Sequence, residues 1–363
     1  MAQHDPVVPL AEGRQKMRHG LIGVLVQVFV VGSLASPAGL RAQSSAQVGS
    51  ADDVQKCMAG LQGSSPDGRA EAAACLGRLG PRAAAAVPAL IGMLADASTL
   101  YWDGMGPGGR LSGGSFSARE SARSALLGIG EPATQPLIDA LGKHPDPRVR
   151  EGAAEVLGGF NPARSAEPLV RALGDTAIVK GSVGRAFVLR ADGPIRVCDV
   201  AAQQLAEMRS AAVGDALWSH VSDAPPVLGQ RVLAVLVQRK DARAMAIVTR
   251  NMASASWQTR VTGVNQLAVL APPDLIGMLL PVLKDGDFRV RAVAAKRLGE
   301  AAVAAASGSP DEKRVVLALQ ALQRDAQQEV DRRVKAYQNS DDVLQIVYAI
   351  HDALAAIAEK RKQ

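Results

Sequence analysis

Asp146-Pro-Arg-Val-Arg-Glu-Gly-Ala-Ala-Glu-Val-Leu-Gly158 returns, 141 residues on, as Asp287-Phe-Arg-Val-Arg-Ala-Val-Ala-Ala-Lys-Arg-Leu-Gly299. Each stretch follows an Arg with small residues at helical spacing and places a Leu seven positions beyond that Arg. Working outward, Arg119–Gly130 (RESARSALLGIG) and Thr259–Leu270 (TRVTGVNQLAVL) repeat the arrangement. The Leu positions form a column: Leu76, Leu126, Leu157, Leu205, Leu236, Leu267 and Leu298, at intervals of 50, 31, 48, 31, 31 and 31. A constant step of 31 with excesses of 19 and 17 reads as a repeat interrupted by two insertions.

Every unit holds two helix signals. One starts at or near a proline and carries an apolar stripe, as in Val87–Asp96, Glu167–Asp175 and Pro273–Asp285. Proline is tolerated in a first turn because the N–H it lacks would have had no partner there. The other signal follows an Asp or Gly turn, as in His144–Arg150 and Lys284–Arg291. Asp caps free backbone N–H groups, and Gly or Pro ends the preceding helix. Helices this short cannot bury their stripes as isolated pairs, whereas stacked pairs share a continuous core. The spacing therefore predicts an all-α solenoid of about eight stacked antiparallel helix pairs. Repeats are expected over 51–306. Longer, more charged capping helices are expected over 307–363, at roughly 311–338 and 341–360.

The pattern D-x-x-V-R-x-x-A-A-x-x-L-G resembles HEAT repeats. Its short step is similar to the bacterial HEAT-like units also found in phycobilin lyases, since longer HEAT units run to about 40–47 residues. Cys198 and Gly229 stand at the Arg position of two units, where the match is weakest. The resemblance implies a repeat scaffold that binds a protein or peptide. It also leaves two alternatives open: lyase-like tetrapyrrole handling, and nucleic-acid binding as in some HEAT-like DNA-repair proteins.

The composition agrees with thin, closely stacked helices. Of 363 residues, 48% are hydrophobic but only 3% aromatic, so Ala, Leu and Val must do the packing. A large apolar pocket is usually lined with aromatic side chains, and this chain has few to offer. The net charge is +6, and removing residues 1–42 would leave 37 basic and 33 acidic residues. So weak a field demands no nucleic-acid partner. Residues 17–42 read as a signal peptide: a basic Met17-Arg18-His19, a 15-residue apolar run from Leu21 to Ala35, then small residues. The run is shorter than the roughly 20 residues of a membrane span. Residues 1–16 form an extension and 43–50 a linker. The expected address is periplasmic or secreted, with no integral span in the mature chain; the alternative is an uncleaved N-terminal anchor.

The insertions, 98–117 and 175–194, leave the same edge of the stack, two units and roughly 20 Å apart. The first is Gly-rich, and the second alternates as a small β-hairpin would. Tyr101, Trp102, Arg110, Phe116, Arg185 and Phe187, in or beside them, are the candidate partner-binding residues, because aromatics and Arg concentrate at binding hot spots. The Arg column (Arg69, Arg119, Arg150, Arg260, Arg291) reads as structural, each Arg pairing with the turn Asp or with nearby carbonyls. Asp146 and Asp287 stand four residues ahead of their arginines. Cys57 and Cys75 lie nine residues either side of Pro66, at equal heights in a helix hairpin. Either a disulfide or two small buried residues would suit them. No nucleophile, metal or phosphate-loop motif occurs, and His144, His220 and His351 are far apart. The expectation is a protein with no catalytic residues, metal or cofactor.

Overall fold

The computed structural model describes residues 51–96, 99–102, 114–179, 194–221, 225–336 and 338–362. The extension, signal peptide and linker expected over 1–50 lie outside them. Sixteen α-helices occur among the described residues, and they alternate between two rows. The even row is α2 (Pro66–Leu79), α4 (Ala118–Ile129), α6 (Pro147–Gly158), α8 (Val197–Glu207), α10 (Pro226–Gln238), α12 (Trp257–Leu270), α14 (Phe288–Ala304) and α16 (Asp341–Lys362). The odd row is α1 (Ala51–Gly60), α3 (Val87–Met93), α5 (Glu131–Lys143), α7 (Pro162–Ala172), α9 (Ala211–Ser219), α11 (Ala244–Met252), α13 (Leu275–Leu279) and α15 (Pro310–Lys335). Each odd helix packs on the even helix that follows it, giving eight pairs, and the even helices touch in unbroken succession. This is an all-α solenoid.

The leucine column is the spine of the even row. All seven leucines are fully buried, joined by Ala73, Ala122, Ala153, Ala201 and Ala294. Small residues between the leucines let helix backbones come close. A Cβ on Gly128 of α4 would lie 2.7 Å from the Gly77 carbonyl oxygen of α2. Helix starts follow the turn chemistry. Ser65, Ser117, Asp146, Asn161, Ser256, Asp287 and Ser309 each accept a backbone N–H of the first turn.

Prolines act less uniformly than the spacing predicts. Pro168, expected near a helix start, is interior to α7, which begins at Pro162. The stripe over Pro273–Asp285 divides into α13 and a 3₁₀ turn, Leu280–Lys284, with Pro281 at its start. A proline removes one helical hydrogen bond and crowds the preceding turn, so a short helix breaks there. Cys57 and Cys75 are joined as a disulfide across the α1–α2 hairpin, Cα atoms 6.1 Å apart. Closing a loop with a sequence separation of 18 contributes about 3 kcal/mol by chain-entropy arithmetic.

The first insertion differs from expectation, while most of the second lies outside the described residues. The Gly-rich first one carries the hairpin: β1 (Thr99–Trp102) pairs antiparallel with β2 (Gly114–Ser117) and rests on α2 and α4. The second, expected as the hairpin, is described only at its base, where Ile178 bridges Arg196 and Val179 N–H donates to Ile195 O. β-Branched alternation drew attention to the second insertion. In the first, the strands TLYW and GSFS are four residues each and pair across a Gly-rich stretch that carries no alternating run.

Candidate functional site

Odd-to-even turns all lie at one edge, and arginines knit that edge together. Arg150 Nη1 donates to the carbonyls of His144 (2.8 Å) and Pro145 (3.1 Å), while Nε and Nη2 hold Asp175 at 2.6 and 3.3 Å. Arg260 repeats this on Ser254, Ala255 and Asp285. Arg69 does so on Gly63, Ser64 and Asp96. Arg291 keeps the two carbonyl bonds, to Asp285 and Gly286. The carbonyl partners are the local ones that spacing suggests, but the carboxylate partner is a correction. Asp146 caps α6 and binds Arg148, and Asp287 likewise binds Arg289, so neither is available four residues on. The Arg reaches instead to the Asp that ends the next odd helix. Such a fork donates to a helix end and bidentately to a carboxylate at once, a planar geometry that the point-like ammonium of lysine does not reproduce. Burial opposes ionisation of Asp285, but the Arg260 guanidinium and the Asp287 amide outweigh it and hold its carboxyl below the ordinary range.

Arg119 departs from the column. Its guanidinium meets the Glu151 carboxylate and lies 3.8 Å from Glu155. Arg123 joins from the next turn of α4, 3.0 Å from Glu155 and 2.8 Å from Glu120. Glu151 and Glu155 are buried along with every residue from Glu151 to Leu157, so these two turns of α6 keep no open face. Burial lowers the Arg119 pKa to about 10, with Arg123 adding to the effect. Ion pairs so deeply desolvated add little net stability, but removing one partner strands the other. The cluster sits where the chain re-enters the stack after the first insertion. Sequence offered only a faint signal for it: two glutamates at i and i+4 that resemble a solvated helix face.

Helices α5 and α7 border a groove of about 790 Å³ that reaches the same edge. Gln135, Asp139, Lys143, Arg150, Arg171 and Asp175 are among its walls. Of the candidate partner-binding residues, Arg110, Arg185 and Phe187 lie outside the described residues. Tyr101, Trp102 and Phe116 belong to the hairpin backbone, with Tyr101 opposite Ser115, Trp102 opposite Gly114 and Leu100 opposite Phe116. The histidines serve separate neighbours: His144 Nδ1 accepts the Asp146 N–H, His220 meets Glu167 at 3.0 Å, and His351 lies beside Asp352. Among the described residues, no three His, Cys, Asp or Glu side chains are grouped to hold a metal ion. No described helix is long and apolar enough to cross a membrane.

Residues 110–187, from the end of the first insertion to within the second, match the profile of the family described as HEAT repeats. This segment of the chain carries HEAT repeats. No curated protein matches the chain in sequence. Among solved structures it is similar to the CpcE–CpcF complex of phycocyanin lyase from Nostoc sp. PCC7120, at 20% identity and a TM-score of 0.29, covering 78% of this chain and 100% of that one. It is similar to Kap121p at 14% identity and a TM-score of 0.42, covering 85% of this chain and 38% of Kap121p. Human deoxyhypusine hydroxylase is similar at 17% identity and a TM-score of 0.27, covering 85% of this chain and 96% of that one. None of these likenesses transfers an activity.

Proposed function

We propose that this HEAT-repeat protein is an exported, non-catalytic scaffold that binds a protein or peptide partner. The partner would engage the edge from which both insertions leave, together with the concave face that stacks of this kind present. One observation carries the proposal: an open groove bordered by α5 and α7 reaches the edge where arginine forks tie the helix turns together. Stacks of short repeats expose long regular surfaces, and loops on a rigid scaffold are where recognition concentrates. Export rests on the leader-like segment at 17–42.

The test is co-purification from the native compartment of the intact chain and of a chain lacking 98–117 and 176–193. Loss of partners from the shortened chain is expected, with its helical circular dichroism retained. An unchanged partner set would sink the edge proposal. N-terminal sequencing of the native protein tests export, with a first residue near 39 or 43 expected.

A further inference from the structure

The opposite edge, where even helices turn into odd ones, carries a different feature. The α8–α9 and α10–α11 turns border a groove of about 630 Å³. Its charged walls are Arg209, Arg239, Lys240 and Arg243, with Asp215 and Asp241. Both carboxylates are already engaged: Arg243 binds Asp215 at 2.8 Å and Asp241 at 2.7 and 2.9 Å. Arg239 is spent on the carbonyls of Leu205, Met208 and Ser210, which close the α8–α9 turn. Arg209 and Lys240 remain, both exposed at the groove, their side chains making no hydrogen bond or ion pair among the described residues. Four cations against two carboxylates leave the groove at +2.

The backbone at Lys240 sharpens the picture. It has φ of 55°, in the half of conformational space that L-residues disfavour because Cβ crowds the following carbonyl oxygen. Four residues after the column leucine, three other units also use positive φ: Gly80 at 61°, Gly130 at 74° and Ala271 at 49°. A glycine would suit position 240 as well, yet a lysine occupies it. Strain retained at a groove is the kind of outlier that points to function. Gly214 lets the Arg243–Asp241 pair lie close against α9: a Cβ there would come within 2.8 Å of Arg243 Nη2.

We propose that this groove binds a phosphate dianion, either the free ion or a small phosphate monoester, held between Arg209 and Lys240. A monoester near neutral pH carries about −1.5 to −2 charges, which balances the groove. Arg supplies paired donors to such an anion and Lys a point charge.

The experiment is calorimetric titration of the full chain with inorganic phosphate and, separately, with phenyl phosphate, at ionic strength matched by chloride. Saturable one-site binding is expected. Tighter binding of inorganic phosphate assigns the free ion as ligand, and tighter binding of phenyl phosphate assigns an ester. Lys240→Gly should relieve the positive φ and leave the melting temperature equal or higher while weakening binding by about tenfold or more, the loss of one charge-assisted hydrogen bond. Arg209→Gln should weaken it similarly. Lys335→Gln, an equal charge change on the exposed end of α15, should leave affinity within about twofold, because surface charges beyond a Debye length are screened. Absence of saturable binding overturns the proposal. So does retention of affinity in Lys240→Gly, or an equal loss in Lys335→Gln.

Discussion

Asp285 shows how one residue can serve two neighbours. It accepts both arms of the Arg260 fork and also the Asp287 N–H, at 2.8 Å each. Its carboxyl sits below the ordinary range when folded, so its contribution is present above the unfolded pKa and is lost as pH falls through the folded one. Asp285→Asn should cost about 1.5–3 kcal/mol at neutral pH, the usual range for a charge-assisted pair. It should also flatten the acid side of the stability curve. Urea unfolding at pH 7 and at several acid pH values checks both, and an unchanged acid slope would count against this account. Residue types made the arginine column visible from sequence, but not its partners. Proximity in sequence favours Asp146 for Arg150, whereas the helix cap consumes Asp146 first. Glu151 and Glu155 stayed hidden because burial of a charged pair depends on what lies across the helix, which no local pattern records.

Helices α2 and α4 meet backbone to backbone through Gly77, Ala125 and Gly128. A Cβ on Gly77 would stand 2.9 Å from Ala125 Cα. Gly128→Ala removes a residue that weakens helices, and so would stabilise an isolated α4 by roughly 1 kcal/mol. In the stack the new methyl strikes the Gly77 carbonyl, and overpacking of this kind costs about 1–3 kcal/mol. The expected sum is a net loss, read as a lower melting temperature; a gain would mean that the two helices can separate without cost. At this scale the sequence was most legible. Period, caps and leucine spine follow from spacing, because each helix must bury the same stripe. The hairpin was less so: Thr99, Tyr101, Trp102 and Phe116 favour strands, but the two strands are only four residues each and are separated by a Gly-rich stretch, so no periodic run marks them.

Across the stack, the open end of the core is covered by the last pair. Helix α16 packs along α14 and buries Val343, Ile346, Ile350, Ala353 and Ile357, a strict three-and-four alternation. Terminal repeats of such arrays must turn a polar face to water. Ending the chain at residue 338 would bare the α14 face around Leu298 and Gly299. Such a truncation should associate in size-exclusion chromatography at concentrations where the intact chain does not; monodisperse behaviour of the truncation would refute the capping role.

The arginine forks also bear on how the chain closes its loops. Arg69 reaches Asp96 and Arg150 reaches Asp175, sequence separations of 27 and 25, and each acceptor immediately precedes an insertion. The extra chain therefore lies outside the ring that each fork closes. Lengthening an insertion adds only the slow logarithmic entropy of a larger surface loop and leaves those two closures unchanged. The stack has in effect two ports, within 98–117 and 175–194, where foreign segments of differing length can be exchanged while the helices on either side keep their register.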